Sequence, residues 1–184
     1  MVRPPPARTA IVVVAAVAVA TGCNFEEAPK DYDLVVYHTH PSQLVIDAAR
    51  VYWSDVPWGL QAAVLAEAPH DGNGRQPIVS AGYTGGPFVL DGESLYVSTA
   101  DGIDVLPVAG GDPIRLVAAA SPPIALFIDA IDVYWTTDYP PQVHWMKKTG
   151  GDAQTLALAQ NAPNHIVADE DAVYVATYSA LYRV

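Results

Sequence analysis

The sequence predicts an all-β protein assembled from about four copies of one antiparallel, four-stranded unit. Three observations predict it. An apolar triplet, an aspartate, three residues, an aliphatic residue and a tyrosine recur four times. The copies are Leu44-Val45-Ile46-Asp47…Val51-Tyr52, Phe88-Val89-Leu90-Asp91…Leu95-Tyr96, Leu126-Phe127-Ile128-Asp129…Val133-Tyr134 and Ile166-Val167-Ala168-Asp169…Val173-Tyr174. Their aspartates lie 44, 38 and 40 residues apart, a period that marks a repeat architecture. Helical periodicity is absent after residue 30, whereas short β-branched and aromatic runs bounded by Gly, Pro and Asp are frequent.

The third copy shows the unit most plainly. Ile124 to Ile128 is a continuous apolar run, as expected of a strand covered on both faces. Asp129 to Asp132 forms a polar turn, and Val133-Tyr134-Trp135-Thr136 reads as a second strand. Gln142 to Lys147 alternates into a third, Gly150-Gly151-Asp152 suits a tight hairpin, and Thr155 to Ala159 closes the unit. The second copy repeats this with Gly110-Gly111-Asp112 and Ile114 to Ala118. Four strands every 40 residues define a β-propeller blade.

The ends are in phase with this repeat. Thirteen residues before each motif aspartate stands an aliphatic residue: Leu34, Ile78, Leu116 and Leu156. Leu34-Val35-Val36-Tyr37 therefore reads as an outermost strand, while the fourth copy stops after its third strand at Leu181-Tyr182-Arg183-Val184. Two architectures fit: four blades closed by the N-terminal strand, which removes two sheet edges, or a truncated part of a larger propeller.

Val133-Tyr134-Trp135-Thr136-Thr137-Asp138 and Val51-Tyr52-Trp53-Ser54-Asp55 resemble the YWTD class of propeller repeats. The Asp-x-x-x-Val-Tyr-Trp spacing also resembles the repeats of propeller lipoproteins from myxobacteria. That likeness covers residues 33 to 184 and implies architecture, not activity, because propellers host many unrelated functions.

Ahead of the repeats lies an export signal. Arg3 and Arg8 give a positive start, and Ala10 to Ala20 is an apolar run too short for the ~20 residues of a membrane-spanning helix. Ala20-Thr21-Gly22-Cys23 resembles the bacterial lipobox, with a plain secretory signal as the competing reading. The resemblance implies removal of residues 1–22, a diacylglyceryl thioether on Cys23 and fatty acylation, such as palmitate, of its amine. Several chains anchor durably where one is marginal. Residues 23–32 are the lipidated cysteine and a polar tether. Asn24 does not resemble the inner-membrane retention signal of some bacteria, which points to the outer membrane of a bacterial envelope.

Composition narrows the function. Cys23 is the single cysteine, so no internal disulfide forms and the core alone must hold the fold. The formal charge of −11 becomes −13 when Arg3 and Arg8 leave with the signal. Such a surface repels phosphates, and no basic cluster offsets it, which argues against nucleic acid.

The motif aspartates Asp47, Asp91, Asp129 and Asp169 open strand-to-strand turns, where a carboxylate accepts its own following amides; they read as structural. The Tyr52-Trp53 and Tyr134-Trp135 pairs read as packing between blades. His38 and His40 share one face of an extended strand, and His165 precedes the fourth inner strand; without further ligands they are not assigned a metal. Asp71-Gly72-Asn73-Gly74 opens like a calcium loop, but Gly82 stands where its glutamate is needed. No nucleophile elbow, phosphate loop, dinucleotide fingerprint or zinc-protease motif occurs, so neither catalytic residue nor cofactor is implied.

Blade geometry gathers the remaining polar and aromatic groups on one rim. His38, His40, Asp55, Trp58, Asp138, Tyr139 and His165 are its candidate ligand-binding residues, with Tyr83, Asp101, Asn164 and Tyr178 beside them. The expected function is a lipid-anchored, non-enzymatic module binding a protein or glycan. Two other readings are a propeller-type lyase or glycan hydrolase centred on His38, His40 and His165, and a truncated relative without independent activity.

Overall fold

The computed structural model describes residues 41–55, 63–71, 73–78, 82–158 and 162–184. Within each blade, consecutive strands pair as antiparallel neighbours. Blade 1 orders β1 (Pro41–Ile46), β2 (Arg50–Asp55), β3 (Val64–Pro69) and β4 (Gln76–Ile78). Blade 2 repeats this with β5 (Tyr83–Asp91), β6 (Ser94–Thr99), β7 (Gly102–Pro107) and β8 (Ile114–Ala118). Blade 3 contains β9 (Pro123–Ile128), β10 (Asp132–Asp138), β11 (Pro141–Lys147) and β12 (Gln154–Leu158). Blade 4 has β13 (Pro163–Ala168), β14 (Val173–Thr177) and β15 (Leu181–Arg183). No helix occurs among the described residues.

Register is the same in every blade. Tyr52, Tyr96, Tyr134 and Tyr174 sit opposite Val45, Val89, Phe127 and Val167 respectively, each two residues before its motif aspartate. Ile78, Leu116 and Leu156 lie in the outermost strands β4, β8 and β12. The matching Leu34–Tyr37 segment falls outside the described residues.

Side chains alternate across each strand, so every blade has two apolar faces, and the facing sides of consecutive blades pack together. Between blades 1 and 2 the core is Tyr52, Leu65, Tyr83, Phe88, Leu95, Val97 and Leu106. Tyr96, Ile103, Val133, Trp135 and Met146 fill the joint between blades 2 and 3. Ala125, Val143, Ile166, Val173 and Val175 fill the joint between blades 3 and 4. A further cluster, Val51, Trp53, Ala66 and Ala68, lies on the blade 1 face with the opposite alternation.

Polar links reinforce these joints in phase with the repeat. Ser98 and Thr136, each seven residues after its motif aspartate, donate buried hydroxyl bonds to the carbonyls of Pro123 (2.7 Å) and Pro163 (2.9 Å) in the next blade. Blade 1 uses Gln43, whose amide donates to Phe88 O (2.6 Å) and accepts from Phe88 N (3.1 Å). Blade 4 has Ala176 at the hydroxyl position. At β1 the equivalents of buried Phe88 and Ile166 are exposed: Leu44 is 46% accessible, and its neighbour Ile46 61%.

Candidate functional site

The four inner strands begin on one rim and line an open cavity of about 600 Å³. Ser42 and Gln43 line it from β1, Gly85, Gly86 and Pro87 from β5, Pro123 and Ala125 from β9, and Asn164 and His165 from β13. Glycine and proline in β5 leave this wall mostly backbone. A Cβ on Gly86 would come within 2.9 Å of Ser98 Oγ, so glycine allows blade 2 to close against its own second strand. Tyr83 is buried beneath this wall and donates to Gly86 O at 3.0 Å; burial pushes its hydroxyl up to about 12.

His165 is exposed on β13, and the buried Asn164 Oδ1 has no hydrogen-bond partner. A buried polar atom without a partner costs free energy, so this one is a point where a ligand or water could gain. Asp138 and Tyr139 are exposed at the β10–β11 turn, and Tyr178 at the β14–β15 turn of the next blade. Asp101 is exposed at the β6–β7 turn of the same rim, where its carbonyl accepts from Arg115. Asp55 differs. Its carboxylate is fully buried at the end of β2 and is paired with Arg75 at 2.7 Å, while the guanidinium also lies 5.9 Å from the Trp53 ring. A carboxylate held this way is a structural anion rather than an open ligand. Cys23, His38, His40 and Trp58 fall outside the described residues, as does any approach of His38 or His40 to His165. Among the described residues no three metal-ligating side chains converge.

The opposite rim carries the motif aspartates. Asp47 Oδ1 accepts the amides of Ala49 and Arg50, Asp129 Oδ1 those of Ile131 and Asp132, and Asp169 Oδ1 those of Asp171 and Ala172. Oδ2 of Asp47 and of Asp129 takes the tyrosine hydroxyl five residues on, at 2.7 and 3.2 Å. Burial pushes these two carboxyls up, yet the amides and the hydroxyl outweigh it and hold both below the usual carboxylate value. Asp91 departs from this pattern. Gly92, at φ +58°, makes a tight Asp91–Ser94 hairpin, and the freed carboxylate reaches Lys148 Nζ on blade 3 at 2.6 Å.

Some participants carried no motif. Gln43 had no conspicuous context, whereas the hydroxyls of Ser98 and Thr136 could have been found from their shared offset to the motif aspartate. His144 showed no partner in the sequence. In the fold it stacks on Trp135 (5.3 Å between centroids, 22° between planes), with Nδ1 3.2 Å from Thr155 Oγ1.

No family model and no curated protein matches the chain. Solved structures do. A nidogen/laminin complex aligns at a TM-score of 0.60 and 17% identity, covering 74% of this chain and 55% of that one. The computationally designed Ika4 protein aligns at 0.61 and 12% identity, covering 83% and 94%. BamB from Moraxella catarrhalis aligns at 0.54 and 17% identity, covering 76% and 47%. The chain therefore spans about half the length of the nidogen/laminin and BamB chains and nearly all of Ika4. With these propellers as neighbours and four blades in one register, the protein is a β-propeller.

Proposed function

We propose that this propeller is a lipid-anchored interaction module of the bacterial envelope, holding a protein partner on the rim where the inner strands begin. One observation carries the reading. Tyr139 and Tyr178, on corresponding turns of adjacent blades, are 87% and 86% exposed on that rim. Two tyrosines displayed this way offer large, rigid contact area with a hydrogen-bonding tip, the residue type that interfaces favour. The Cys23 lipobox supplies the anchor, and the polar tether holds the propeller off the membrane. The fold likeness to a nidogen/laminin complex supports a protein partner.

The test compares the two rims in cells. A photo-crosslinking amino acid at Tyr139 or Tyr178 is expected to yield a discrete adduct, and the same group at Glu93 or Glu170 on the opposite rim none. Equal adducts from both rims, or none from Tyr139 and Tyr178, would overturn the reading.

A further inference from the structure

A second concavity, separate from the inner-strand cavity, opens where the face of blade 3 meets the outer edge of blade 2. Its volume is about 280 Å³. Val117 and Ala118 of β8 and the linker to Ser121 form one wall. On the other, strand alternation brings Trp135, Gln142, His144 and Thr155 to one side, and Tyr139 stands at the mouth.

Three features define what this groove can hold. First, no lining residue carries a formal charge, although the chain as a whole stands at −11. The contrast with the groove between blades 3 and 4 is direct, because that one is lined by Asp132, Asp169, Glu170 and Asp171. A phosphate or carboxylate finds no counter-ion here, and a cation no carboxylate. Second, the groove combines an exposed aromatic ring with free hydrogen-bonding groups. The Gln142 amide has no partner among the described residues, and His144 uses Nδ1 on Thr155, which leaves Nε2 free. Burial lowers the His144 pKa, so the ring is neutral near pH 7, and its free Nε2 donates or accepts according to the tautomer that the Thr155 bond selects. Third, the volume lies just below the range of drug-sized ligand pockets and suits one ring rather than an extended chain.

We propose that this groove binds a single neutral pyranose ring, stacked on Tyr139 and hydrogen-bonded by Gln142 and His144. A pyranose matches each feature: an apolar C–H face for the aromatic ring, equatorial hydroxyls that both donate and accept, and no charge. Trp135 forms the floor and holds His144 by stacking. The inference goes beyond the partner reading, and the two share only Tyr139.

The experiment titrates the purified full chain with uncharged methyl glucoside, galactoside, mannoside and N-acetylglucosaminide, following amide chemical shifts. At least one sugar is expected to give saturable shifts centred on Tyr139, Gln142, His144 and Thr155. Gln142→Ala and Tyr139→Ala should each weaken that sugar roughly tenfold, with thermal midpoints unchanged. No saturable shift with any of the four, or shifts that survive both substitutions, would overturn the inference. Failure here with Tyr178 adducts intact rejects only the sugar site; lost adducts with sugar binding intact reject only the partner reading.

Discussion

The Tyr52 hydroxyl donates a 2.7 Å hydrogen bond to Asp47 Oδ2, and Asp47 Oδ1 accepts the amides of Ala49 and Arg50 at 2.7 Å each. One carboxylate thus closes the turn between the first two strands and fixes a tyrosine that is fully buried between blades 1 and 2. Asp47→Ala strands that hydroxyl and two amides, and is expected to cost about 2–4 kcal/mol. Tyr52→Phe removes one charge-assisted bond and should cost about 1–2 kcal/mol. Asp91→Ala, which loses a surface pair with Lys148 instead, should cost under about 1 kcal/mol. Urea unfolding of the three variants checks the order.

Acid should destabilise the fold through these same carboxylates. The folded pKa values of Asp47 and Asp129 are depressed, so their contribution is present above the unfolded value near 3.9 and is lost as pH falls through the lower folded values. Unfolding free energy should drop below about pH 4, and Asp47→Asn together with Asp129→Asn should flatten that drop. At the alkaline end Tyr134 is raised to about 12, first by burial and then by Asp129. Its contribution is present below the unfolded value near 10 and is lost as pH rises from about 10 to 12. Tyr134→Phe should remove that part of the alkaline loss.

Gly102 turns β6 into β7 at φ +143°, and a Cβ there would stand 2.0 Å from Val117 O in β8. Both backbone conformation and space exclude a side chain. Gly102→Ala should cost more than about 3 kcal/mol. Gly150→Ala, at φ +94° with nothing within 4 Å, should cost about 1–2 kcal/mol. Differential scanning calorimetry separates the two.

Ser98 and Thr136 cross from one blade to the next. Ser98→Ala or Thr136→Val removes a buried hydrogen bond to the next blade and should cost about 1–2 kcal/mol each. The two joints share no residue, so the double variant should be additive. A large departure from additivity would show that the joints are not independent.

The blades were legible because their signals are local and repeated. The turn chemistry of Asp129 and the β-branched run behind it sit within ten residues, and β8 spans the same Ile114 to Ala118 that the sequence marks. What escaped was contact between blades. Gln43 binds Phe88, 45 residues away, and nothing in its own neighbourhood announces that. Asp91 shares the motif yet closes a different turn, because Gly92 admits a left-handed backbone that Ala48, Ala130 and Glu170 do not favour. At Asp55 the surrounding loop residues suggested exposure, but Arg75 lies 20 residues on and buries it. His144 gained its setting only when β11 aligned with β10 and β12.

Hydroxyl-radical footprinting, in intact cells against purified protein, most directly tests whether the inner-strand rim is the working end. Tyr139 and Tyr178 should be protected in cells, while Ile131 and Val184 away from that rim keep the same reactivity. Unchanged Tyr139 and Tyr178, or equal protection at Ile131 and Val184, would contradict a partner held on that rim.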